Sequence, residues 1–283
     1  MPTKIYDRPF AFSMGPQRAG TSWLDRYLRG RKDVCLPSGV KEVFFFDRDF
    51  ERGFTHYASH FHLEPEHKIV MEISTTSFDS VDAPKNLHSI FGSDVKLICP
   101  LRNPVIRAYS LYLHYKRYGI VQGDFFTAVK EQPNIIESSF YTRHLERWTE
   151  FFGEEKINIF MQEDLERDQD KYVQGICDVL DLPFMPPTHE DREKFNVTTT
   201  SKSGALAALG QRGADLLRKY KQYWIINLAK EIGLKKVFFG EENPDASKFS
   251  IPVGEEAFLL DRLSEEIELF QKKFPHIRAD WLG

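Results

Sequence analysis

The chain reads as an α/β protein: a three-layer, phosphate-loop-like fold with a central parallel sheet between helices and a helical C-terminal region. Three observations carry that reading. Short apolar runs alternate with amphipathic segments, as a parallel sheet buried on both faces requires. A Gly-bounded loop follows the first apolar run and opens the first helix. The last third of the chain is poor in strand signals. The elements follow in order. Residues 9–14 form a short apolar run ending at Gly15, a buried strand. Residues 21–28 place Trp23, Leu24, Tyr27 and Leu28 at helical spacing. Residues 68–73 and 95–101 read as further strands. Residues 103–118 read as a helix, with Pro104 in the first turn, where its missing N–H costs nothing. Helices over 138–152 and 169–180 flank a strand at 157–161. Residues 183–187 are a turn-rich break and 191–204 are polar and loop-like. Residues 205–232 and 255–274 read as helices, a cap on one domain spanning 1–283 whose α/β core is 10–180.

Composition bounds the function. The chain has 283 residues, 41% hydrophobic and 28% charged, enough to bury a core. With Lys plus Arg at 38 and Asp plus Glu at 42, the net charge of −4 offers no field for coating nucleic acid. A local basic pocket stays open. No apolar run approaches the roughly 18 residues that span a bilayer, and residues 1–9 lack the apolar stretch of a secretory signal. Cys35, Cys99 and Cys177 are odd in number and widely spaced. They fit a reducing cytoplasm better than a disulfide framework or a CxxC metal site.

The sharpest local feature is Gly15-Pro16-Gln17-Arg18-Ala19-Gly20-Thr21-Ser22. A loop between strand and helix offers backbone N–H groups and the positive helix end to an anion. The Gly15-to-Gly20 spacing matches the phosphate loop of nucleotide hydrolases, but the Lys expected after Gly20 is Thr21. The cation sits at Arg18 instead, and metal-dependent triphosphate cleavage is the weaker reading. The alternative is a connection whose glycines serve only the turn. A second feature is Arg102-Asn103-Pro104, followed by Arg107 and Ser110. Arg102 leaves the carboxyl end of a strand, where open α/β sheets bind ligands. Its guanidinium suits a phosphate. Alternatively, Arg102 pairs with a carboxylate and Ser110 faces a neighbouring helix.

Two anion sites on successive βα units without the Walker lysine resemble the sulfotransferases that use 3′-phosphoadenosine 5′-phosphosulfate (PAPS). Arg18-Ala19-Gly20-Thr21-Ser22 is similar to that family's 5′-phosphosulfate loop, and Arg102-Asn103-Pro104 with Arg107-Ala108 and Ser110 to its 3′-phosphate motif. The resemblance implies PAPS as donor, its product 3′,5′-bisphosphate (PAP), and no metal requirement. It implies cofactor contacts from Gln17, Arg18, Ala19, Gly20, Thr21, Ser22, Trp23 (as an adenine stack), Arg102 and Ser110, with Lys202-Ser203-Gly204 as a substitute loop. Lys41-Glu42-Val43-Phe44-Phe45-Phe46-Asp47 looks like the Glu-x-x-Phe-Phe segment of the heparan sulfate 3-O- and N-sulfotransferase group. Ser139-Phe140-Tyr141, His144-Leu145, Trp148 and Glu163-Asp164-Leu165 also resemble that group, so the similarity covers residues 10–180.

Departures from the pattern are specific. Arg18 replaces a Lys common in that group. Its Glu-Lys-Ser/Thr-Pro segment is Glu72-Ile73-Ser74-Thr75 here, so a substrate-contacting Lys is Ile73. By resemblance Glu42 is the general base, with Arg18 and Lys41 stabilising the charge that develops on the leaving oxygen. Burial by Phe44 to Phe46 is expected to raise the Glu42 pKa. The residues alone allow a blander Glu42, paired with Lys41, Arg48 or Arg52, and a base among His56, His60 and His62. His114 and His144 read as structural, or as lying behind the residues of the site. The acceptor site is expected around Glu42, Phe46, the Ser74-Thr75-Thr76 loop and the helix of Arg143 and Trp148. Its acceptor is a carbohydrate or glycan-like hydroxyl, with a phenol, an alcohol or an amine as alternatives. A nucleotide kinase or hydrolase, or a binding module without catalysis, are the competing classes.

Overall fold

The computed structural model describes residues 7–193, 250–277 and 281. Lys202 and the helix expected over 205–232 lie outside the described residues. A five-stranded, all-parallel sheet forms the middle layer: β1 (Phe10–Ser13), β2 (Val34–Cys35), β3 (Ile69–Ile73), β4 (Lys96–Leu101) and β5 (Ile157–Met161), in the order β2-β3-β1-β4-β5. Four of these strands are the apolar runs legible in the sequence. The two-residue β2 is too short to show a period.

Side chains alternate across the sheet, as its pleat requires. Phe10 and Phe12 of β1, Val70 of β3, and Leu97, Cys99 and Leu101 of β4 enter one core. Ala11, Ile69, Met71, Ile73 and Ile98 enter the other. The second core is closed by α1 (Thr21–Arg29), through Trp23, Leu24, Tyr27 and Leu28, and by a helix over Gln169–Leu180, through Tyr172, Val173 and Ile176. The first is closed by α2 (Phe54–Ala58), α3 (Ala83–Phe91), α4 (Pro104–Arg117), α5 (Phe125–Glu131), α6 (Asn134–Glu137) and α7 (Tyr141–Phe152). After the short α8 (Gln162–Arg167), the helix α9 (Gln169–Leu180) and α10 (His189–Glu193) follow β5. The C-terminal helix α11 (Val253–Lys273) sends Leu259, Leu263, Ile267 and Phe270 into the first core, against α4 and α7. It is part of the main core, where the sequence suggested a cap.

Topology positions the site. Because every strand is parallel, the loops after β1, β3 and β4 leave the same edge of the sheet. β1 pairs with both β3 and β4, so its loop lies between theirs. That is the switch point where open α/β sheets bind ligands. The loop after β1 is also tightly seated. A Cβ on Gly15 would lie 2.6 Å from Pro100 Cδ and 2.9 Å from Pro100 N, and closer still to the Pro100 carbonyl oxygen. Gly15→Ala is therefore expected to push β1 and β4 apart where the two loops begin, costing roughly 1–3 kcal/mol. Denaturant unfolding of the variant should show a lowered midpoint.

Candidate active site

The loop from Gly15 to Gly20 turns through two left-handed residues, Arg18 at φ 72° and Gly20 at φ 84°. The second is natural for glycine; the first is a strained position for a side chain. α1 then begins at Thr21, and no side chain caps its N-terminus. On the neighbouring strand, Arg102-Asn103-Pro104 is a built turn. Asn103 caps α4 by accepting hydrogen bonds from Val105 and Ile106 N–H at 2.9 and 3.2 Å. The Tyr141 hydroxyl donates to the Arg102 carbonyl at 2.8 Å, and Asn103 N–H donates to Glu163 Oε1 at 2.7 Å.

These two loops bring their cations together. Arg18 Nε donates to Ser110 Oγ at 3.0 Å, although the two are 92 residues apart. Ser110 is buried on the face of α4 that meets the loop. Burial first, then repulsion from Arg102 and Arg117, lower the Arg18 pKa to about 10 against the pull of Tyr118. The guanidinium stays protonated at neutral pH. Arg102 is itself lowered by burial, against the pull of Glu166 and Glu163. Lys41 is lowered by burial too, against the attraction of Glu42 and Asp25, and its Nζ donates to Thr21 Oγ1 at 3.0 Å. His114, on α4, is pushed down to about 3 by burial and then by Arg18, Arg117 and Lys41. Its placement makes it a neutral neighbour of the cations. The causes that bear on Arg18 are burial, Arg102, Tyr118 and Arg117, whereas Lys41 and Arg102 each feel nearby carboxylates.

Glu42 stands beside this cluster. Its side chain is 14% exposed, and its Oε1 is 3.8 Å from Lys41 Nζ. The loop after β3 holds it: Thr75 N–H donates to Oε2 at 2.8 Å, and the Thr75 hydroxyl lies 3.0 and 2.9 Å from the two oxygens. The expected burial by the Phe44 to Phe46 cluster is not what surrounds it. Phe45 and Phe46 turn into the core against Tyr57, and Phe44 has a left-handed backbone with its ring under Arg48. Arg48 and Arg52 pair with Asp47 and Asp49, so of the three suggested partners only Lys41 lies by Glu42. His60 is buried with Nδ1 on the His56 and Tyr57 carbonyls, and His62 Nδ1 meets Ser38 Oγ at 2.9 Å.

Burial raises the carboxyl of Glu72 to about 8. It is fully buried on β3, and its Oε1 accepts from Val43 N–H at 2.9 Å, which fixes the backbone next to Glu42. A carboxyl raised in the fold keeps its proton there while the unfolded chain has lost its own. Its contribution is therefore complete below the ordinary value near 4.5 and declines as pH rises to about 8. Glu72→Gln keeps the acceptor for Val43 and removes that titration. Unfolding midpoints compared at pH 5.5 and 8 should fall in the parent and stay flatter in the variant.

Other expected contacts need correction. Trp23 is 5% exposed, stacked on Tyr27 with its indole N–H on the Asp191 carbonyl, so it is a core residue and no adenine platform. Phe46 and Trp148 are buried in the first core, Trp148 with its ring against Phe12 and its N–H on the Phe78 carbonyl. Ser74 is buried with its hydroxyl on Ser77. Ala19 turns its methyl inward, leaving only its backbone for a ligand. Thr21 is engaged by Lys41, and Ser22 is exposed. Arg107 is fully buried and holds Ser139 Oγ and the Ile135 carbonyl, a tie that positions α6. A cavity of about 310 Å³ is lined by Gln17, Asp47, Thr75, Thr76, Asp79 and Asn134, among others; Glu42, Phe46, Ser74 and Trp148 do not line it, and Glu42 meets it through Thr75. Its helical wall is α4 and α6, through Leu111, Tyr115 and Asn134, and no residue of the Arg143–Trp148 helix lines it. Asn134 and Asp79 sit outside any periodic pattern, so the sequence carried no signal for them. Among the described residues no cluster could hold a metal ion, and no helix is long and apolar enough to cross a membrane.

Comparison with known proteins places the family. A family described as sulfotransferase domain matches residues 10–207. The chain is 31% identical over 153 residues to heparan sulfate glucosamine 3-O-sulfotransferase 3B1 of Homo sapiens, covering 51% of this chain and 38% of that protein. It is 25% identical over 201 residues to bifunctional heparan sulfate N-deacetylase/N-sulfotransferase 1 of Caenorhabditis briggsae, covering 63% of this chain and 23% of that one. The chain thus spans well under half the length of these relatives. The crystal structure of a sulfotransferase from Alicyclobacillus acidocaldarius shares the fold, with a TM-score of 0.56 at 24% identity over 66% of this chain and 89% of that one. With the family match running from β1 through both anion loops and beyond α9, the chain belongs to the sulfotransferase domain family.

Proposed function

We propose that this chain, read as one domain, transfers a sulfuryl group from PAPS to an acceptor hydroxyl of a carbohydrate or glycan-like metabolite. The observation that carries the reading is the meeting of Arg18, Arg102 and Ser110 at one sheet edge, with Glu42 held at the same edge by Thr75. The residues fit the donor. Two guanidiniums on adjacent loops suit a molecule with an anionic group at each end, and the carboxylate stands outside that pair. PAPS, when bound, supplies the sulfuryl group and departs as PAP. Glu42 accepts the proton of the attacking hydroxyl. Arg18 offsets charge developing on the bridging oxygen, with Lys41 tied to the loop through Thr21. Arg102 and Ser110 hold the far phosphate, which aligns the donor for in-line displacement. Three free, buried cysteines support a cytoplasmic setting.

A kinase or hydrolase reading needs the lysine that Thr21 replaces. Calorimetry with PAP, ATP and ADP separates the two. Submicromolar PAP binding without Mg²⁺, tighter than ATP by about a hundredfold, is the expected result. ATP binding tighter than PAP, or dependent on Mg²⁺, would sink the sulfotransferase reading.

A further inference from the structure

The cavity that Glu42 meets through Thr75 has a chemistry of its own. Its volume of about 310 Å³ lies at the lower end of the roughly 300–1,000 Å³ typical of ligand pockets, the size for a small molecule or one terminal ring. Four of its lining side chains carry buried oxygens that no described residue satisfies: Gln17 Oε1, Asp47 Oδ1, Thr76 Oγ1 and Asn134 Oδ1. Buried polar atoms are normally partnered, so four around one cavity mark where a ligand bonds. Three of the four can only accept a hydrogen bond, with Asn134 oriented by donating Nδ2 to the Tyr115 hydroxyl at 2.7 Å. The ligand must therefore donate.

Charge points the same way. Asp47, with a side chain 5% exposed, and Asp79 both line the cavity; burial raises the Asp79 carboxyl, and Asp47 adds to that. Arg48 is the one cation among the lining residues. It is spent on Asp47 at 3.2 Å and lies over the Phe44 ring. Arg107 and Arg147 also bear on Asp79, but neither lines the cavity. Arg107 holds Ser139 and the Ile135 carbonyl, and Arg147 donates to the Asp79 carbonyl. Ile73, where the resembled group carries a lysine, is fully buried beneath the sheet edge.

We infer that the acceptor is a small polyol without negative charge, neutral or amine-bearing, and that Asp79 and Asn134 select it against sulfated or carboxylated sugars. The inference rests on the sulfotransferase reading for the place of the acceptor. Like charges set against each other in a partly buried pocket repel, so an anionic sugar is disfavoured without any steric clash.

The test uses the full chain loaded with PAP. Glucose against glucuronate, and glucosamine against N-sulfoglucosamine, are compared by saturation-transfer NMR, and as acceptors with labelled PAPS. The uncharged or aminated member of each pair should win by about tenfold or more. Asp79→Asn should narrow the gap to within about threefold and leave PAP affinity unchanged. Asn134→Asp, which keeps the shape and adds a charge, should widen it. Anionic sugars binding as well as their partners, a gap indifferent to both substitutions, or neither class binding the PAP-loaded chain would each overturn the inference. Failure to bind PAP at all would instead strike the proposed function.

Discussion

Glu42→Gln lowers turnover of an identified acceptor by about 10²-fold or more while PAP binding persists. The substitution keeps the shape of the side chain. Its one remaining carbonyl oxygen still accepts from Thr75, which now holds both oxygens between 2.8 and 3.0 Å. What is lost is the capacity to take a proton from the acceptor. The variant also loses the charge 3.8 Å from Lys41, so the ammonium has less to oppose its burial. A titration with PAP and a single-turnover rate on the same preparation check the result. An unchanged rate would move the base elsewhere, and the histidines of residues 56–62 would be the next to test. A lost PAP affinity would show that Glu42 shapes the anion site.

Arg18→Ala has the second large effect, on binding and rate together. The side chain gives its Nε to Ser110 and stands against Arg102, so its loss removes one of two guanidiniums facing the donor. An uncompensated cation in a half-buried site gains most when an anion arrives, because the repulsion and burial that lower its pKa are then relieved. The expected outcome is a loss of about 10²- to 10³-fold in kcat from the charge on the departing oxygen. PAP binding should weaken by at least tenfold. Arg18→Lys should recover part of the affinity through its charge. Recovery should stay incomplete, because a lysine has no planar fork to keep the Ser110 bond. Equal rates in all three proteins would remove Arg18 from the chemistry.

Much of the fold was legible for a plain reason. Strands buried on both faces are mostly apolar, so β1, β3 and β4 each show as a run, and the half-buried edge strand β5 is close to one. The helix starting at Pro104 announces itself by Asn103 and the proline, and the observed cap uses that asparagine. The loops after β1 and β4 were legible because their residues are contiguous. The acceptor side was not. Phe46 and Trp148 look like cleft aromatics in the sequence, yet large apolar rings gain more from the core than from a polar pocket, and both are buried. Ser74 and Thr75 are neighbours on one loop, but the backbone alternates, so one hydroxyl meets Ser77 and the other meets Glu42. Asp79 and Asn134 are 55 positions apart and belong to no shared motif; only the packing of α6 against α4, tied by Arg107, sets them around one cavity.

By itself, the order of residues determined the parallel α/β architecture and the two phosphate-type loops, because short-range patterns of polarity and turn chemistry are written locally. Only the tertiary structure decided that Arg18 reaches Ser110, that Thr75 fixes Glu42, and that unpaired oxygens ring the space beside them. Those contacts join segments far apart in the chain. Their geometry follows from strand order and helix packing, which no local pattern encodes.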